Sequence, residues 1–132
     1  MKAKGKNDPI CSALVLLDEN KISYQVSQSV PNIRRTIDII IPNISNPIIL
    51  IESSYVVTTS SGMGDKAKTE MGVAEDIRRY YPNSKFLGLI DGVGWYARQN
   101  DLKKLVSAFD DVFTFKESEL KRFIEHVKDS LS

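Results

Sequence analysis

The sequence predicts a single α/β domain whose central sheet of about four to five strands is mixed and flanked by helices. Three observations support this fold class. Segments with the helical spacing of apolar residues alternate with β-branched segments along the 132 residues. Two predicted strands are joined by a connection too short to hold a helix, so they are expected to be antiparallel. A later segment, 85–90, is almost entirely apolar, which is typical of a strand covered by helices on both faces.

The first half of the chain is predicted to form a helix followed by a three-stranded meander. A loose segment over about residues 1–7 leads to a helix at 9–19, with Asp8 as its N-cap and Pro9 as its first residue. Alternating apolar and polar residues then indicate strands, which are expected at 22–30, 33–41 and 48–54.

The second half is predicted to alternate helices and strands. A Gly-rich loop at 58–64 precedes a helix that Asp65 caps and that stops before Pro82. After the apolar strand at 85–90, the sequence at 91–95 predicts a turn. The remaining elements are expected to be a short helix from about 100 to 109, a short strand within 110–115 and an amphipathic helix at 117–131.

The composition excludes several classes of protein. The formal net charge is +1, so any surface that binds nucleic acid must be a local patch. Cys11 is the only cysteine, which excludes an internal disulfide and a cysteine-based zinc site. His126 is the only histidine, so histidine-rich metal centres and Ser-His-Asp catalysis are not expected. No apolar run reaches the roughly 18 residues of a membrane span, and we expect a cytoplasmic protein without membrane association.

Two of the predicted strands each carry one carboxylate. A hairpin that is symmetric about Ser45 would bring Asp38 directly opposite Glu52, with their Cβ atoms about 5 Å apart. Carboxylates at that distance repel each other in an apolar sheet unless a cation lies between them. Oxygen ligands without a nearby histidine or cysteine favour Mg²⁺, for which Mn²⁺ can substitute. We therefore expect a magnesium site, with the flanking residues facing the opposite way, into the core: Ile37, Ile39, Ile49 and Ile51.

Lysines stand close to this expected site in the sequence. A magnesium site of this kind usually acts on phosphate esters, because the metal lowers the pKa of a bound water and neutralises phosphoryl charge. A lysine would assist as a proton acceptor or as a positive charge in the transition state. Lys66 and Lys68 lie at the predicted start of the helix after the Gly-rich loop. Residues two positions apart do not share a helix face, so only one of them is expected to point at the metal.

Three segments, in this order, carry a resemblance to a known family. They read IESSY at 51–55, SSGMGDKAK at 60–68 and LIDGVGW at 89–95. With an Asp on the second strand, a Glu on the third and a helix behind them, they resemble the PD-(D/E)XK nuclease core, and more specifically the restriction endonucleases of the DpnII/MboI type. The resemblance covers about residues 33–115. It implies a restriction-endonuclease-like fold and Mg²⁺-dependent hydrolysis of phosphodiester bonds in double-stranded DNA, as in a type II restriction endonuclease.

The resemblance also implies roles for individual residues. Asp38 and Glu52 would be the metal-binding acids, and the backbone carbonyl of Ser53 would be a further ligand. The family places its lysine two residues after the Glu, where this sequence has Ser54. One of the two lysines in the next helix would therefore have to replace it. Because cutting both strands requires two sites, a symmetric homodimer is expected.

Further contacts are expected around the site. Glu19, at the end of the first helix, would be a further acid of the metal shell by the same resemblance. Arg34 and Arg35 precede the second strand, where they are candidates for contacts with DNA phosphates. Ser61 and Gly62, in the Gly-rich loop, are candidates for the same role. The alternative for each of these residues is an ordinary solvated position.

Two other functions remain open from the sequence. The serine at position 54 is compatible with a DNA-binding or regulatory domain that keeps the nuclease fold without catalysing cleavage. An α/β interaction module without any metal is the third possibility. Metal-dependent turnover separates the first two functions, and metal binding that depends on the two acids separates both from the third. The short chain is also compatible with the catalytic part of a longer enzyme or with a decayed copy.

Overall fold

The computed structural model describes residues 9–55, 60–91 and 106–132 and shows an α/β fold, with a five-stranded mixed sheet flanked by three helices. The elements in chain order are α1 (Pro9–Glu19), β1 (Gln25–Ser29), β2 (Thr36–Ile41), β3 (Ile49–Tyr55), α2 (Ser60–Tyr80), β4 (Lys85–Asp91), β5 (Asp111–Phe113) and α3 (Glu117–Leu131).

The strands lie in the sheet in the order β1-β2-β3-β4-β5. The pairs β1–β2 and β2–β3 are antiparallel, whereas β3–β4 and β4–β5 are parallel. Between β3 and β4, α2 is the crossover that returns the chain to the other end of the sheet. The predicted meander, the helical crossover and the mixed sheet are therefore confirmed.

Each face of the sheet is covered by its own apolar layer. We call the first the α2 layer, which contains Val30, Ile33, Ile37, Ile40, Leu50, Val73, Ala74, Ile77, Phe86, Ile90, Ala108 and Phe109. The second, the α1/α3 layer, includes Ala13, Leu17, Ile39, Ile41, Ile49, Ile51, Leu87, Leu89, Phe113, Phe123 and Val127. Alternate residues of β4 enter the two layers, which confirms that this strand is buried on both faces.

The first strand is shorter than predicted because the chain does not become extended directly after α1. Lys21 has a φ of 57°, and the N–H of Ile22 donates to the carbonyl of Leu17 at 2.9 Å. Residues predicted as strand are therefore still bonded to the end of the helix. Extended pairing with β2 begins only at Gln25.

The connection from β1 to β2 is a turn that is fixed to α2. Asn32 has a φ of 73°, which favours a turn where the sequence predicted that a strand was about to begin. The Tyr81 hydroxyl, just after α2, donates to the Pro31 carbonyl at 2.7 Å. Arg34 binds Asp76 through Nε and Nη2, at 2.9 and 3.0 Å, and through its backbone N–H at 2.9 Å. These bonds hold the residues that precede β2 against the second half of α2 and the residue that follows it.

The helix α2 begins at Ser60, not at Asp65 as predicted. The prediction of a loop at 58–64 relied on Gly62 and Gly64, which are poor helix formers. A glycine in a helix costs only about 1 kcal/mol relative to alanine, so it weakens a helix without preventing it. The predicted end before Pro82 is confirmed, since α2 ends at Tyr80.

Side chains bond to backbone groups at both edge strands. In β5, the N–H of Val112 donates to Asp111 Oδ1 at 2.8 Å, and the Val112 carbonyl accepts from Arg122 Nη2 at 2.8 Å. The Arg122 guanidinium also lies 4.2 Å from the centroid of the Phe113 ring. In β1, Gln28 Nε2 donates to the carbonyl of Val26 at 3.2 Å.

Some of the remaining predictions are confirmed, and others concern residues that the structure does not describe. The helix at 9–19 and the closing helix at 117–131 are confirmed, and the last strand is confirmed at Asp111–Phe113. The predicted loose N-terminal segment, the turn after Asp91 and most of the predicted helix at 100–109 lie outside the described residues. Within the described part of the chain, no helix has the length and apolar character required to cross a membrane.

Candidate functional site

The two candidate acids lie on neighbouring strands. Ile39 pairs with Ile51, and the register continues through Ile40 and Ile41, which pair with Leu50 and Ile49. This is the register expected for a hairpin that is symmetric about Ser45. The next residues beyond the Ile39–Ile51 pair are Asp38 on one strand and Glu52 on the other. The predicted hairpin register is therefore confirmed as far as the Ile39–Ile51 pair.

A hydrogen bond joins Asp38 to β3. The backbone N–H of Ser53 donates to Asp38 Oδ2 at 2.8 Å. A bond from a neutral N–H to a carboxylate is stronger than one between neutral groups, so it fixes the Asp38 side chain beside the segment of Glu52 and Ser53. Asp38 is partly buried, whereas only 4% of Glu52 is exposed.

The flanking isoleucines follow the prediction with one exception. Ile39, Ile49 and Ile51 lie in the α1/α3 layer, but Ile37 lies in the α2 layer with Ile40. Strand residues three positions apart normally face opposite sides. Ile37 and Ile40 can share a layer only because the alternation of β2 is broken between them, which is where Asp38 stands.

Glu52 belongs to the α2 side of the sheet. Leu50 lies in the α2 layer, and strand residues two positions apart point to the same face. The parallel register gives the same result, since Leu50 pairs with Phe86 of the α2 layer and Glu52 pairs with Gly88. The acid thus faces the helix that follows it in sequence.

A second acid in this layer was missed by the sequence analysis. Glu70 is completely buried, at 0% exposure, and the other buried residues in the described part of the helix, from Lys68 onward, are Val73, Ala74 and Ile77. These residues follow Glu70 at intervals of three, four and seven, so they define one stripe that faces the sheet. A glutamate in an otherwise apolar helical stripe is the sequence signal that could have identified it.

The structure describes the side chain of only one of the two candidate lysines. Both lie inside α2 and not at its first residue, because the helix begins earlier than predicted. Lys68 is exposed, whereas the side chain of Lys66 lies outside the described set. Lys66 precedes Glu70 by four residues, and this interval places the two positions on the same face of the helix.

Glu19 stands apart from the candidate acids. It is exposed at the end of α1 and lines a groove between α1 and α3, together with Cys11, Phe115 and Lys121. This groove lies on the α1/α3 side of the sheet, whereas Glu52 faces α2. The structure therefore does not bring Glu19 into the layer that holds Glu52.

The residues predicted to contact DNA have different surroundings. The guanidinium of Arg34 binds Asp76 with two nitrogens, and the side chain is 55% exposed. This ion pair raises the pKa of Arg34 and, mainly through the side-chain hydrogen bond, lowers the pKa of Asp76. Arg35 is exposed. Ser61 and Gly62 lie in the first turn of α2, not in the predicted loop, and their side-chain environments lie outside the described residues.

The donor atoms on β2 and β3 suit a hard cation. Asp38 and Glu52 supply carboxylate oxygens, and Ser53 supplies a carbonyl on the same stretch of β3, which are the ligands that Mg²⁺ prefers. Across the residues that the structure describes, no group of three or more His, Cys, Asp or Glu side chains has the arrangement required to hold a metal ion. A metal at this place would thus rely on two carboxylates supplemented by backbone or water oxygens.

Comparison with known proteins places the chain in a family. A family model described as the BanI C-terminal domain matches residues 9–131, a range that spans all five strands and all three helices described above. No curated protein and no solved structure shows significant similarity to the chain. The match relates the chain to type II restriction enzymes. The chain therefore belongs to the BanI C-terminal domain family of restriction enzyme domains.

Proposed function

We propose that this protein is a Mg²⁺-dependent endonuclease of the PD-(D/E)XK type that hydrolyses phosphodiester bonds in double-stranded DNA. The observation that carries the proposal is the hydrogen bond from the Ser53 N–H to the Asp38 carboxylate, 2.8 Å long. It fixes one acid beside the strand that bears the other, Glu52. Membership of a family of restriction enzyme domains supplies the biological context.

The proposal stays at the level of the nuclease superfamily. The resemblance to the DpnII/MboI type rests on three short segments, whereas the family model names a different restriction enzyme. An Asp on the second strand, a Glu on the third and a helix packed behind them are common to the wider group. The resemblance of the three segments and the family match both support a type II restriction endonuclease.

Each residue of the proposed site has a distinct role. Asp38, Glu52 and the Ser53 carbonyl would hold the metal ion, and Glu52 is held in a protein layer that largely excludes water. The metal would supply an activated water and neutralise charge on the phosphoryl oxygens. Because Ser54 stands in the usual lysine position, the resemblance implies that the positive charge would come from α2. Lys66 and Lys68 are the two lysines of that helix.

The partner in this proposal is duplex DNA. Asp38 lies near the start of β2 and Glu52 lies midway along β3, from where the strand continues to the end of the sheet at which α2 begins, so a duplex would approach from this end. Arg35 is exposed just before β2 at the same end and is suited to a phosphate contact. Cutting both strands would require two copies of the site, which a symmetric homodimer supplies.

The direct test is digestion of a plasmid at low salt with Mg²⁺ or Mn²⁺. Wild-type protein is compared with Asp38→Asn, since asparagine keeps an oxygen that can accept the Ser53 hydrogen bond while removing the negative charge. Discrete fragments from the wild type alone would support a sequence-specific nuclease, and a smear would indicate cleavage without specificity. Equal cleavage by both proteins would reject the site.

A second function is favoured by the serine at position 54. A domain that binds DNA without cutting it would need no lysine at this place. It would bind duplex DNA with the same affinity in the presence and absence of divalent metal, and it would leave the plasmid intact. Wild-type cleavage that requires metal would exclude it.

A further inference from the structure

A residue in the middle of β1 has an unusual backbone conformation. Ser27 has a φ of 50°, in the left-handed region that residues other than glycine and asparagine rarely adopt. Gln28 Nε2 donates to the carbonyl of Val26 at 3.2 Å, so a local hydrogen bond spans Ser27. Such a conformation persists only where the surrounding structure holds it, and it is most frequent at functional sites.

The irregular residue lies opposite one of the candidate acids. The two strands are paired on both sides of this point, through Gln25–Ile40, Val26–Ile39, Gln28–Ile37 and Ser29–Thr36. The register is the same before and after it, so no residue is inserted into either strand. Ser27 and Asp38, which both lie within the described strands, are skipped by the ladder.

Both strands change face at the skipped position. On β2, Ile39 lies in the α1/α3 layer and Ile37 in the α2 layer, although residues two positions apart on a regular strand share a face. On the β1 side, Val26 packs against the α1/α3 layer, whereas Val30, just after the strand, lies in the α2 layer. These residues are an even number of positions apart as well, so the two strands turn over together.

The change of face explains the orientation of Asp38. A side chain on a regular strand stands roughly perpendicular to the sheet, so it points away from the backbone of the next strand. Asp38 Oδ2 instead accepts a hydrogen bond from the backbone N–H of Ser53 on β3, at 2.8 Å. The carboxylate therefore lies along the sheet. The rotation that this bond requires occurs where β2 passes Ser27.

We propose that Ser27 is a positioning residue, whose left-handed backbone turns the strand pair over and directs the Asp38 carboxylate along the sheet to Ser53. The consequence for catalysis rests on the proposed function, in which Asp38 holds the metal. Ser27 acts through Asp38 and not on the metal or the DNA itself. The backbone angle carries this role, and the Ser27 hydroxyl does not.

The first test separates the backbone of Ser27 from its hydroxyl. Ser27→Thr keeps the hydroxyl but adds a β-branch, which the left-handed region disfavours, whereas Ser27→Gly removes the hydroxyl and permits that region. Ser27→Thr should lower the melting temperature by about 4 °C or more. Ser27→Gly should unfold at or above the wild-type temperature. A Ser27→Thr variant as stable as the wild type would overturn the proposal.

The matched controls are substitutions of Ser29, which pairs regularly with Thr36 on the same two strands. Here the order is expected to reverse, because a β-branch suits an extended residue and glycine does not. Ser29→Thr should unfold with the wild type and Ser29→Gly below it. If Ser27→Thr does not fold while Ser27→Gly does, the left-handed backbone is supported and Ser27→Ala replaces Ser27→Thr in the later tests. Loss of folding in Ser27→Gly would overturn the proposal.

The second test follows the bond between Asp38 and Ser53. Amide hydrogen exchange is measured by NMR in the same variants. Ser27→Thr should accelerate exchange of the Ser53 amide by about 10-fold more than that of the Ile48 amide, which donates to the Ile41 carbonyl in the same hairpin. Ser27→Gly should leave the Ser53 amide protected. Equal acceleration of both amides would mean that Ser27 acts only on the stability of the hairpin, which overturns the proposal.

The third test is cleavage of a duplex at increasing Mg²⁺ concentration. Ser27→Thr should raise the concentration that gives the half-maximal rate by about 10-fold or more, as is usual when a group that orients a metal ligand is lost. The KM for DNA should stay near that of the wild type, Ser27→Gly should retain the wild-type requirement for Mg²⁺, and so should Ser29→Thr. A wild-type Mg²⁺ requirement in Ser27→Thr would overturn the role in the site. If the wild type does not cut, the nuclease function fails, and the unfolding and exchange tests still decide whether Ser27 positions Asp38.

Discussion

The Asp38 carboxylate accepts a hydrogen bond from the backbone N–H of Ser53, at 2.8 Å, across two neighbouring strands. This bond lies just beyond the last pair of the β2–β3 ladder, Ile39 with Ile51. A side chain thus continues the connection between the strands past the regular ladder. The same bond orients the carboxylate next to Glu52, so one contact serves both the sheet and the proposed site.

Removal of either acid is expected to abolish metal-dependent cleavage. Asp38→Asn and Glu52→Gln should each lower the rate by at least about 100-fold, because each removes a charge that would hold the metal. Asp38→Asn should unfold near the wild-type temperature, since the amide oxygen can still accept from Ser53. Plasmid digestion and thermal unfolding measure the two effects. Full activity in either variant would show that the metal lies elsewhere.

The Arg34–Asp76 pair predicts a stability that depends on acid pH. The arginine lowers the pKa of Asp76 in the folded protein below its unfolded value of about 4. The carboxylate therefore contributes stability above about pH 4, and this contribution is lost as the pH falls through the folded pKa. The melting temperature of Asp76→Asn should lie below that of the wild type near pH 6, and the difference should shrink near pH 3.

The control for this pair is Arg34→Met. It removes the partner, so the wild type and Arg34→Met should show the same convergence at acid pH, and adding Asp76→Asn to Arg34→Met should have a smaller effect than in the wild type. A difference between wild type and Asp76→Asn that stays constant from pH 6 to about pH 3 would mean that the ion pair does not act on stability.

The two neighbouring arginines should affect DNA binding differently. Arg35 is exposed, whereas Arg34 is bound by Asp76. Arg35→Ala should weaken duplex binding and reduce the slope of log affinity against log salt by about 0.9, the value for one phosphate contact. Arg34→Ala should leave this slope near that of the parent protein. Fluorescence anisotropy in the Asp38→Asn background keeps the substrate intact, and equal slopes for both variants would reject the contact.

Gly88 is predicted to be intolerant of a side chain. A Cβ atom at this position would lie 3.0 to 3.1 Å from ring carbons of Phe109, and the Phe109 ring stacks on Phe86 at a centroid distance of 4.5 Å. Gly88→Ala should lower the free energy of unfolding by about 1 to 3 kcal/mol, as is usual for overpacking. Urea denaturation measures this loss. Phe109→Leu in the same chain should recover part of it, whereas an unchanged stability of Gly88→Ala would contradict the close contact.

Much of the fold could be predicted because local patterns determine it. The β2–β3 hairpin could be assigned in the correct register, since a short connection between two apolar strands permits few alternatives. The closing helix α3 was bounded correctly from its apolar spacing. The start of α2 could not be predicted, because Gly62 and Gly64 are typical of a loop and only the complete structure shows the helix extending through them.

The candidate site was predicted only in part, for a related reason. Asp38 is bonded to the backbone of Ser53, the residue after Glu52, within a local hairpin, so this approach follows from the sequence. Glu70 reaches the same layer only through the packing of α2 on the sheet, which depends on residues far apart in the chain. The bond between Arg34 and Asp76 spans 42 positions, and sequence spacing does not reveal it.

The side chains that bond to the edge strands limit how two copies of the protein can associate. Open strand edges invite pairing with another chain, and proteins often block them. Here Asp111 and Arg122 occupy the N–H and the carbonyl of Val112, and Gln28 occupies the carbonyl of Val26. A continuous ten-stranded sheet formed by joining two copies (twice the five strands of one) is therefore disfavoured. A homodimer of the proposed nuclease would then form through helical or loop surfaces, and the two sheets would be mechanically independent of each other.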